Sequence, residues 1–499
     1  MQVVYEAARQ IPVVVTPDVL VIGGGPAGIG TALSAARNGM DVLLVERYGF
    51  LGGNLTNALI NPIFTFHDIE GRQVVMGIAE EIVSRLQAKG GTLGHVTDLT
   101  FDNASMTPFD PEIMKIVLLE MMEEAKVELL LHTWASDVIV RGGKIHAVIV
   151  ESKSGRQAIC PKVVVDCSGD ADVAVKAGAP YDSGRKQDGA TQPASLFFRI
   201  GGVDSHKLKD WMKANRDLLK DSPTDDEIDD QKAIAFLGLR QLVKEAMEKG
   251  DYPPDAAPRM LFYQLPRSDQ VAVNASRLQE IDGTDVQDLT KAEILARKQA
   301  WWIHHFLKKY VGGFEDSFIL DTASQVGIRE TRRIIGDYTL DENDVLAGRS
   351  FADGIACGTF AIDIHPPEGE QQIFTGSGKA VYEIPYRCCL PQGLDNLLVA
   401  GRSISVTHEA FGSIRVMATC IAVGQGAGLA AALATKAGSN TRAIDTDLLV
   451  ESLINQGQFL LKDGVKATIN SELKLHRQEG SGENASHYNP FAAKMNSRE

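Results

Sequence analysis

The chain has 499 residues, 44% of them hydrophobic and 23% charged, with a net charge of −15. That length exceeds one ordinary core, so two linked domains are expected, and the composition is that of a globular protein with a sizeable interior. The acidic balance argues against a nucleic-acid or anionic-membrane partner, and six cysteines without a C-x-x-C pair give neither a disulfide framework nor a zinc or iron–sulfur pattern.

The N-terminus lacks a basic, then apolar, then small-residue signal, which predicts a cytoplasmic protein. Residues 11–22 are broken by Pro12, Pro17 and Asp18, which excludes a membrane span there. Val19 to Ile22 is an apolar run of the kind found in buried parallel strands, and Gly23, Gly25 and Gly28 follow it in G-x-G-x-x-G spacing. The first glycine allows the tight turn, the second the approach of a pyrophosphate, and the third close packing of helix on strand. From Pro26 and Ala27 the chain continues as an Ala-rich helix to Asn38, closed by Gly39. A phosphate would sit on that helix N-terminus, where unpaired N–H groups and the helix dipole favour negative charge. A second strand, residues 41–45, ends at Glu46, the acid expected on the ribose hydroxyls of a dinucleotide.

A turn-rich loop, residues 49–57, comes next, and residues 111–126 predict an amphipathic helix with Ile113, Ile116, Val117 and Met121 on one face. Residues 127–150 alternate as strands around the Gly142-Gly143 turn, and residues 162–167 form another buried strand. Residues 204–309 are charged and helical, with a capping box at Thr290 and Glu293. Strands return around residues 355–364 and 380–390, where Cys388 and Cys389 read as buried thiols on a strand. A last strand, residues 396–400, ends at Gly401 before a long Ala/Gly helix. Within it, residues 416–434 could span a membrane by length, but their small side chains and Gln425 favour a buried core helix. Gly424, Gly426 and Gly428 have no strand before them, which predicts helix packing rather than a second nucleotide site. The tail, residues 475–499, is polar and predicts disorder.

The fold class expected is α/β: a discontinuous Rossmann-like FAD-binding domain (residues 1–65, 107–200 and 380–460) with an inserted α+β substrate or cap domain (residues 66–106 and 201–379). The early fingerprint, the LGG loop after Glu46 and the late strand–glycine–helix unit favour FAD over NAD. A dinucleotide as long as FAD needs a second anchor, and a late helix N-terminus at the flavin pyrimidine edge would stabilise the anionic reduced ring.

These segments, together with residues 163–180, 326–340 (VGIRETRRIIGDYTL) and 384–391 (IPYRCCLP), resemble the FAD-dependent oxidoreductases of the two-dinucleotide-binding flavoprotein superfamily. That group is related to flavoproteins built like glutathione reductase and fumarate reductase. The resemblance implies that Glu46 holds the adenosine ribose and that the Ala135 backbone meets adenine. It places Gly52, Gly53, Asn54, Asp170, Gly401 and Gly412 near the pyrophosphate and flavin, with Pro26, Ala27, Arg47 and Ser413 completing the cofactor set. Where many relatives carry Gly-Asp after the late strand, this chain has Gly401-Arg402, so Arg402 faces either phosphate or substrate.

For catalysis the candidates are His408, Arg415, Arg387 and His365. His408 falls at the start of the late helix, as a proton carrier or as a structural hydrogen-bonding group. Arg415 follows it, for a substrate carboxylate or flavin O2, or merely as an ion-pair partner. His365 has Asp363 two residues earlier on the same strand face, as a base with its orienter or as a strand-end polar cluster. Tyr386 and Arg387 are expected on the inserted sheet over the flavin. Arg329, Glu330 and Arg332 read as an ion-pair set from which one arginine could reach the pocket. Trp301 and His305 share a helix face and predict core packing. No His/Asp/Glu set has metal-ligand spacing, so no metal is expected.

The expected function is an FAD-dependent oxidoreductase passing a hydride between a small polar substrate (alcohol, amine or activated alkene) and flavin N5. The arginines favour one bearing a carboxylate or several hydroxyls. The alternative is an electron-transfer flavoprotein subunit, with residues 204–309 as the only candidate docking surface. Direction, electron acceptor or donor, and assembly as a homo-oligomer stay open.

Overall fold

A computed structural model describes residues 3–4, 7–101, 104–366, 373–375, 380–462, 464–470 and 473. Four apolar runs and one less buried edge segment pair in parallel. Across the sheet the order is Leu397–Val399, Val163–Asp166, Val19–Ile22, Val42–Val45 and Glu128–Leu130. Successive side chains point to opposite faces, and both faces are buried. Val19, Val21, Val42 and Leu44 face the helices Pro26–Arg37, Ile78–Ala88, Pro111–Glu124 and Met417–Ala437. Leu20, Ile22, Leu43 and Val45 face a second sheet, ordered Val13–Val15, Gly155–Ile159, Lys144–Ser152 and Trp134–Arg141. The result is the Rossmann-like α/β arrangement of an FAD-binding fold.

The helix Met417–Ala437 is apolar on all sides because it is enclosed on all sides. It is long and apolar enough to cross a membrane, yet 94% of its apolar window is buried inside the protein. Against Pro26–Arg37 the backbones nearly touch. A Cβ on Gly424 would lie 2.1 Å from the Ala27 carbonyl oxygen, and one on Gly428 would lie 2.2 Å from that of Thr31.

An antiparallel sheet, ordered Ala235–Gly238, Met260–Gln264, Val271–Val273, Phe198–Gly201 and Phe318–Thr322, forms a separate core with the helix Val286–Tyr310. Two expected cap segments divide differently. Ile78–Ala88 packs in the first core, as do Ile355, Ala356, Ile362 and Ile364, because the strand Gly354–Gly358 pairs with Tyr382–Pro385 and lies on Met417–Ala437.

Several local expectations are corrected. Helix Val286–Tyr310 is capped by Asp285, whose carboxylate accepts from the Gln287 and Asp288 N–H groups, and Thr290 lies inside it, donating to the Val286 carbonyl. An aspartate acceptor at the true first turn pre-empts the later Thr. Trp301 and Trp302 are about half exposed rather than in the core. Ile116 is also exposed, and Met114, Leu118 and Met122 join Val117 and Met121 instead. Cys388 and Cys389 are buried, in the 3-10 turn Tyr386–Cys389 rather than a strand. The tail beyond residue 474 lies outside the described residues.

Candidate active site

A cavity of about 980 Å³ opens at the carboxyl ends of the parallel strands, where Ile22, Val45, Cys167 and Ala400 reach its wall. Ligands of open α/β sheets bind at this end. Gly23 turns the chain with φ +98° and donates to the Val45 carbonyl. A Cβ on Gly25 would meet only Gly53 Cα, at 3.9 Å, so this glycine leaves the cavity open. A Cβ on Gly28 would lie 1.8 Å from the Gly23 carbonyl oxygen; this glycine serves the packing of helix on strand. Gly25 is also the N-cap of Pro26–Arg37, with no side-chain cap and no acid in the first turn, so the exposed N–H groups suit an anion.

Glu46 is buried on the same wall, its Oε2 accepting from Gly24 N–H at 2.6 Å and its Oε1 from Tyr48 N–H at 2.9 Å. The Arg47 guanidinium lies between the rings of Tyr48 and Trp134, 4.9 and 5.2 Å from their centroids. Gly53, Asn54 and Ala135 line the cavity, as do Pro26 and Ala27 beyond the first glycines, and Gly401 and Arg402 opposite. An uncapped helix start, an uncrowded glycine and a carboxylate one strand away fit a dinucleotide.

A second chamber, of about 850 Å³, shares Asn54, Arg402, Arg415 and Met417 with the first. Its apolar wall is an aromatic group in which Phe64 lies 5.9 Å from Phe360 and 5.8 Å from Tyr263, centroid to centroid. Its polar wall joins three residues. His365 Nε2 lies 3.2 Å from Asp363 Oδ2, and the same oxygen accepts from Arg415 at 2.9 Å. Arg415 Nε is buried without a hydrogen-bond partner among the described residues. Burial holds His365 down at about 4, against the pull of Asp363, so the imidazole is neutral near pH 7. Val416 and Met417 bring the N-terminus of the long helix to this wall, with no side-chain cap.

The structure thus brings together His365, Arg415 and Arg402, and parts them from the other candidates. His408 lies off both cavities, buried with Nδ1 2.9 Å from Glu330 Oε1, in a set that includes Arg333. Arg387 is half exposed, paired with Asp353 at 2.9 Å, while the Tyr386 hydroxyl donates to the Thr441 carbonyl. Gly412 packs on the Asp363 backbone, and the Ser413 hydroxyl lies between Tyr382 and the Phe360 carbonyl. Neither touches the cavity, because the chain forms a short helix, His408–Ile414, before the long one begins. Gly52 is one step behind the wall, donating to the Gly24 carbonyl, and Asp170 is held there by Thr331 and Arg402. Arg402 also donates to the Ile328 carbonyl. Residues without a local motif complete the chambers: Tyr48, Trp134 and Gln325 in the first, Arg259, Asn274 and Tyr263 in the second.

The fold and this cavity define a nucleotide-binding α/β protein of the flavoenzyme class. The family model described as FAD dependent oxidoreductase matches residues 18–453, and the chain belongs to that family; it is an oxidoreductase with FAD as cofactor. Among curated proteins it is similar to an NADH oxidase of Thermoanaerobacter brockii, 44% identical over 59 residues, which are 12% of this chain and 9% of that protein. Among solved structures it is similar to the p-nitrophenol 4-monooxygenase of Pseudomonas putida, at 12% identity, 90% coverage of each chain and a TM-score of 0.43. A myxobacterial chondrochloren halogenase matches at 13% identity, 88% of this chain and 78% of that one, with a TM-score of 0.46.

Proposed function

We propose that the enzyme passes a hydride between a small polar organic substrate in the aromatic-walled chamber and FAD held in the adjoining cavity. The observation that carries this is the shared wall, where Asn54, Arg402, Arg415 and Met417 face both spaces and His365 faces only the second. FAD supplies the hydride acceptor or donor, flavin N5. The glycine turn and the start of Pro26–Arg37 hold the pyrophosphate, and Glu46 takes the ribose. Arg415 and the N-terminus at Val416 would supply positive potential to a flavin ring bound against this wall. Asp363 accepts from His365 Nε2 and so orients an imidazole that would take the substrate's O–H or N–H proton as its C–H bond gives up the electron pair. The same topology supports membership of the two-dinucleotide-binding superfamily.

Anaerobic mixing of the FAD-loaded enzyme with candidate alcohols and amines tests this. A small molecule alone should bleach the flavin, and His365→Gln should keep FAD but slow bleaching by ~10²–10⁴-fold. The exposed Trp301, Trp302 and Phe318 favour one alternative, a docked electron-transfer partner. Bleaching only in the presence of such a protein would replace the present reading by that one.

A further inference from the structure

The apolar wall of the second chamber is built by alternation along one cap strand. On Met260–Gln264, Met260 and Phe262 point into the core shared with the helix Val286–Tyr310, and Leu261 and Tyr263 point the other way. Phe64 packs against that second face and is only half-buried. Its ring meets Phe101 at 6.0 Å and 82°, and Tyr263 at 5.8 Å and 71°, edge to face in both cases. The Tyr263 hydroxyl is spent elsewhere. It lies 3.0 Å from Thr100 Oγ1, which itself donates to Asp98 Oδ1 at 2.6 Å. Tyr263 therefore donates to Thr100 and shows the chamber a ring rather than a donor. Phe64, Phe101 and Tyr263 line the second chamber but not the cofactor cavity, so this wall stands apart from the shared one.

A half-buried ring on a cavity wall leaves apolar surface that a guest can cover, and aromatic pairs attract beyond the area they bury. The charges then select among guests that carry a polar end. Arg402 and Arg415 reach the chamber already paired, with Asp170 and Asp363. Arg329 reaches it held by the Pro193 carbonyl at 2.6 Å, and His365 is neutral. Burial is the main cause that brings Arg329 down to about 9, and Arg415, Arg259 and Arg277 add to it against the pull of Asp363. The arginines' share of that shift reports a positive potential. An ammonium brought to this wall is repelled as well as desolvated, whereas a hydroxyl is not.

We propose that the second chamber is an aryl-alcohol site, with the substrate's aromatic ring against Phe64 and Phe101 and its hydroxyl-bearing carbon at the wall of Arg402 and Arg415. This rests on the reading of the chamber as the substrate site and deepens it. The substrate is an alcohol rather than an amine, and its apolar part is an aromatic ring rather than an aliphatic group. Phe64, which touches both Phe101 and Tyr263, is then the residue that sets the preference for a ring.

The test uses FAD-loaded protein and tertiary alcohols, which have no hydrogen on the hydroxyl-bearing carbon and so bind without being oxidised. Binding is read by perturbation of the flavin absorption band and by calorimetry. The aryl probe, α,α-dimethylbenzyl alcohol, should bind at least about tenfold tighter than tert-butanol and about two- to tenfold tighter than its cyclohexyl counterpart. The amine of the same shape, α,α-dimethylbenzylamine, should bind at least about tenfold more weakly than the aryl alcohol at about pH 7. Phe64→Leu keeps an apolar wall without the ring and should erase the preference for phenyl over cyclohexyl, and Phe101→Leu should lower it. Flavin content should stay unchanged in both. Two variants are used so that one folding failure leaves the result readable. Equal affinity for the phenyl and cyclohexyl alcohols, or an undiminished phenyl preference in both variants, overturns the aryl site. An amine that binds as tightly as the alcohol overturns the alcohol assignment. If the phenyl preference depends on Phe64 while benzyl alcohol never bleaches the flavin, the hydride-transfer reading fails and the aryl site stands. Bleaching by aliphatic alcohols without a phenyl preference gives the reverse.

Discussion

On the proposed reading, the side chain that decides the chemistry most directly is His365. Its depressed value, about 4, means that the base is neutral across the working range and protonates only in acid. In the oxidative direction kcat/KM should fall as pH drops through about 4, since the charged ring has no lone pair for the substrate proton. His365→Gln should remove that limb as well as most of the rate, which a pH profile of flavin bleaching would check. Gly25 offers a cleaner test of the cofactor. Its φ of −77° suits any residue, and its Cβ direction is open, so Gly25→Leu should fold normally while its side chain occupies the pyrophosphate's approach. The flavin-to-protein ratio after purification should fall several-fold with the circular dichroism unchanged; full flavin content would remove Gly25 from the site. At this scale the glycine fingerprint was legible because its spacing is local and each residue has a backbone role. The link between His365, Asp363 and Arg415 was half legible. Two residues of separation along a strand give a pair, but nothing in sequence shows an arginine 52 residues away completing it.

Among elements, the informative departure lies at residues 408–417. An unbroken late helix would have put His408, Gly412 and Ser413 beside the flavin; the chain instead stops at Ile414 and restarts at Met417, and the restart reaches the cavity. No Pro or Gly marks that break. Val416 adopts an extended conformation, φ −68° and ψ 146°, because the short helix must pack on Ile362–Ile364 while the long one follows Pro26–Arg37, and only tertiary contacts impose both. The Ala/Gly character of the long helix was legible for the opposite reason, since small residues are needed wherever two backbones touch. Gly428→Leu should therefore force the helices apart, costing ~1–3 kcal/mol by overpacking. A lower melting temperature together with weaker FAD retention is expected, because Ala27 and Met417 on the two helices both line the cavity proposed to hold FAD. A Leu variant as stable as the parent would show that the crossing is looser than the 2.2 Å approach at Thr31 requires.

At the scale of the whole molecule, the acid response follows from two buried histidines in different places. His67 is 1% exposed, hydrogen-bonded to Ser105, and held down at about 3 by burial and by His95; His365 is held at about 4. Both are depressed from an ordinary 6.5, so between that value and their folded values the unfolded chain binds protons that the native state refuses. Stability then falls as pH falls. Asp172, raised to about 6 by burial, works the other way, because the native state takes up its proton first. Asp166, also raised by burial, acts with Asp172, while His304, lowered by burial, acts with His67 and His365. The loss should begin near pH 6.5, above the range in which ordinary carboxylates titrate. Urea unfolding at about pH 7 and about pH 5 measures it, and His67→Gln isolates one contributor: the amide cannot titrate, so the drop between the two conditions should shrink. An unchanged drop would mean that His67 is protonated in the folded protein and that its pocket is wetter than 1% exposure allows.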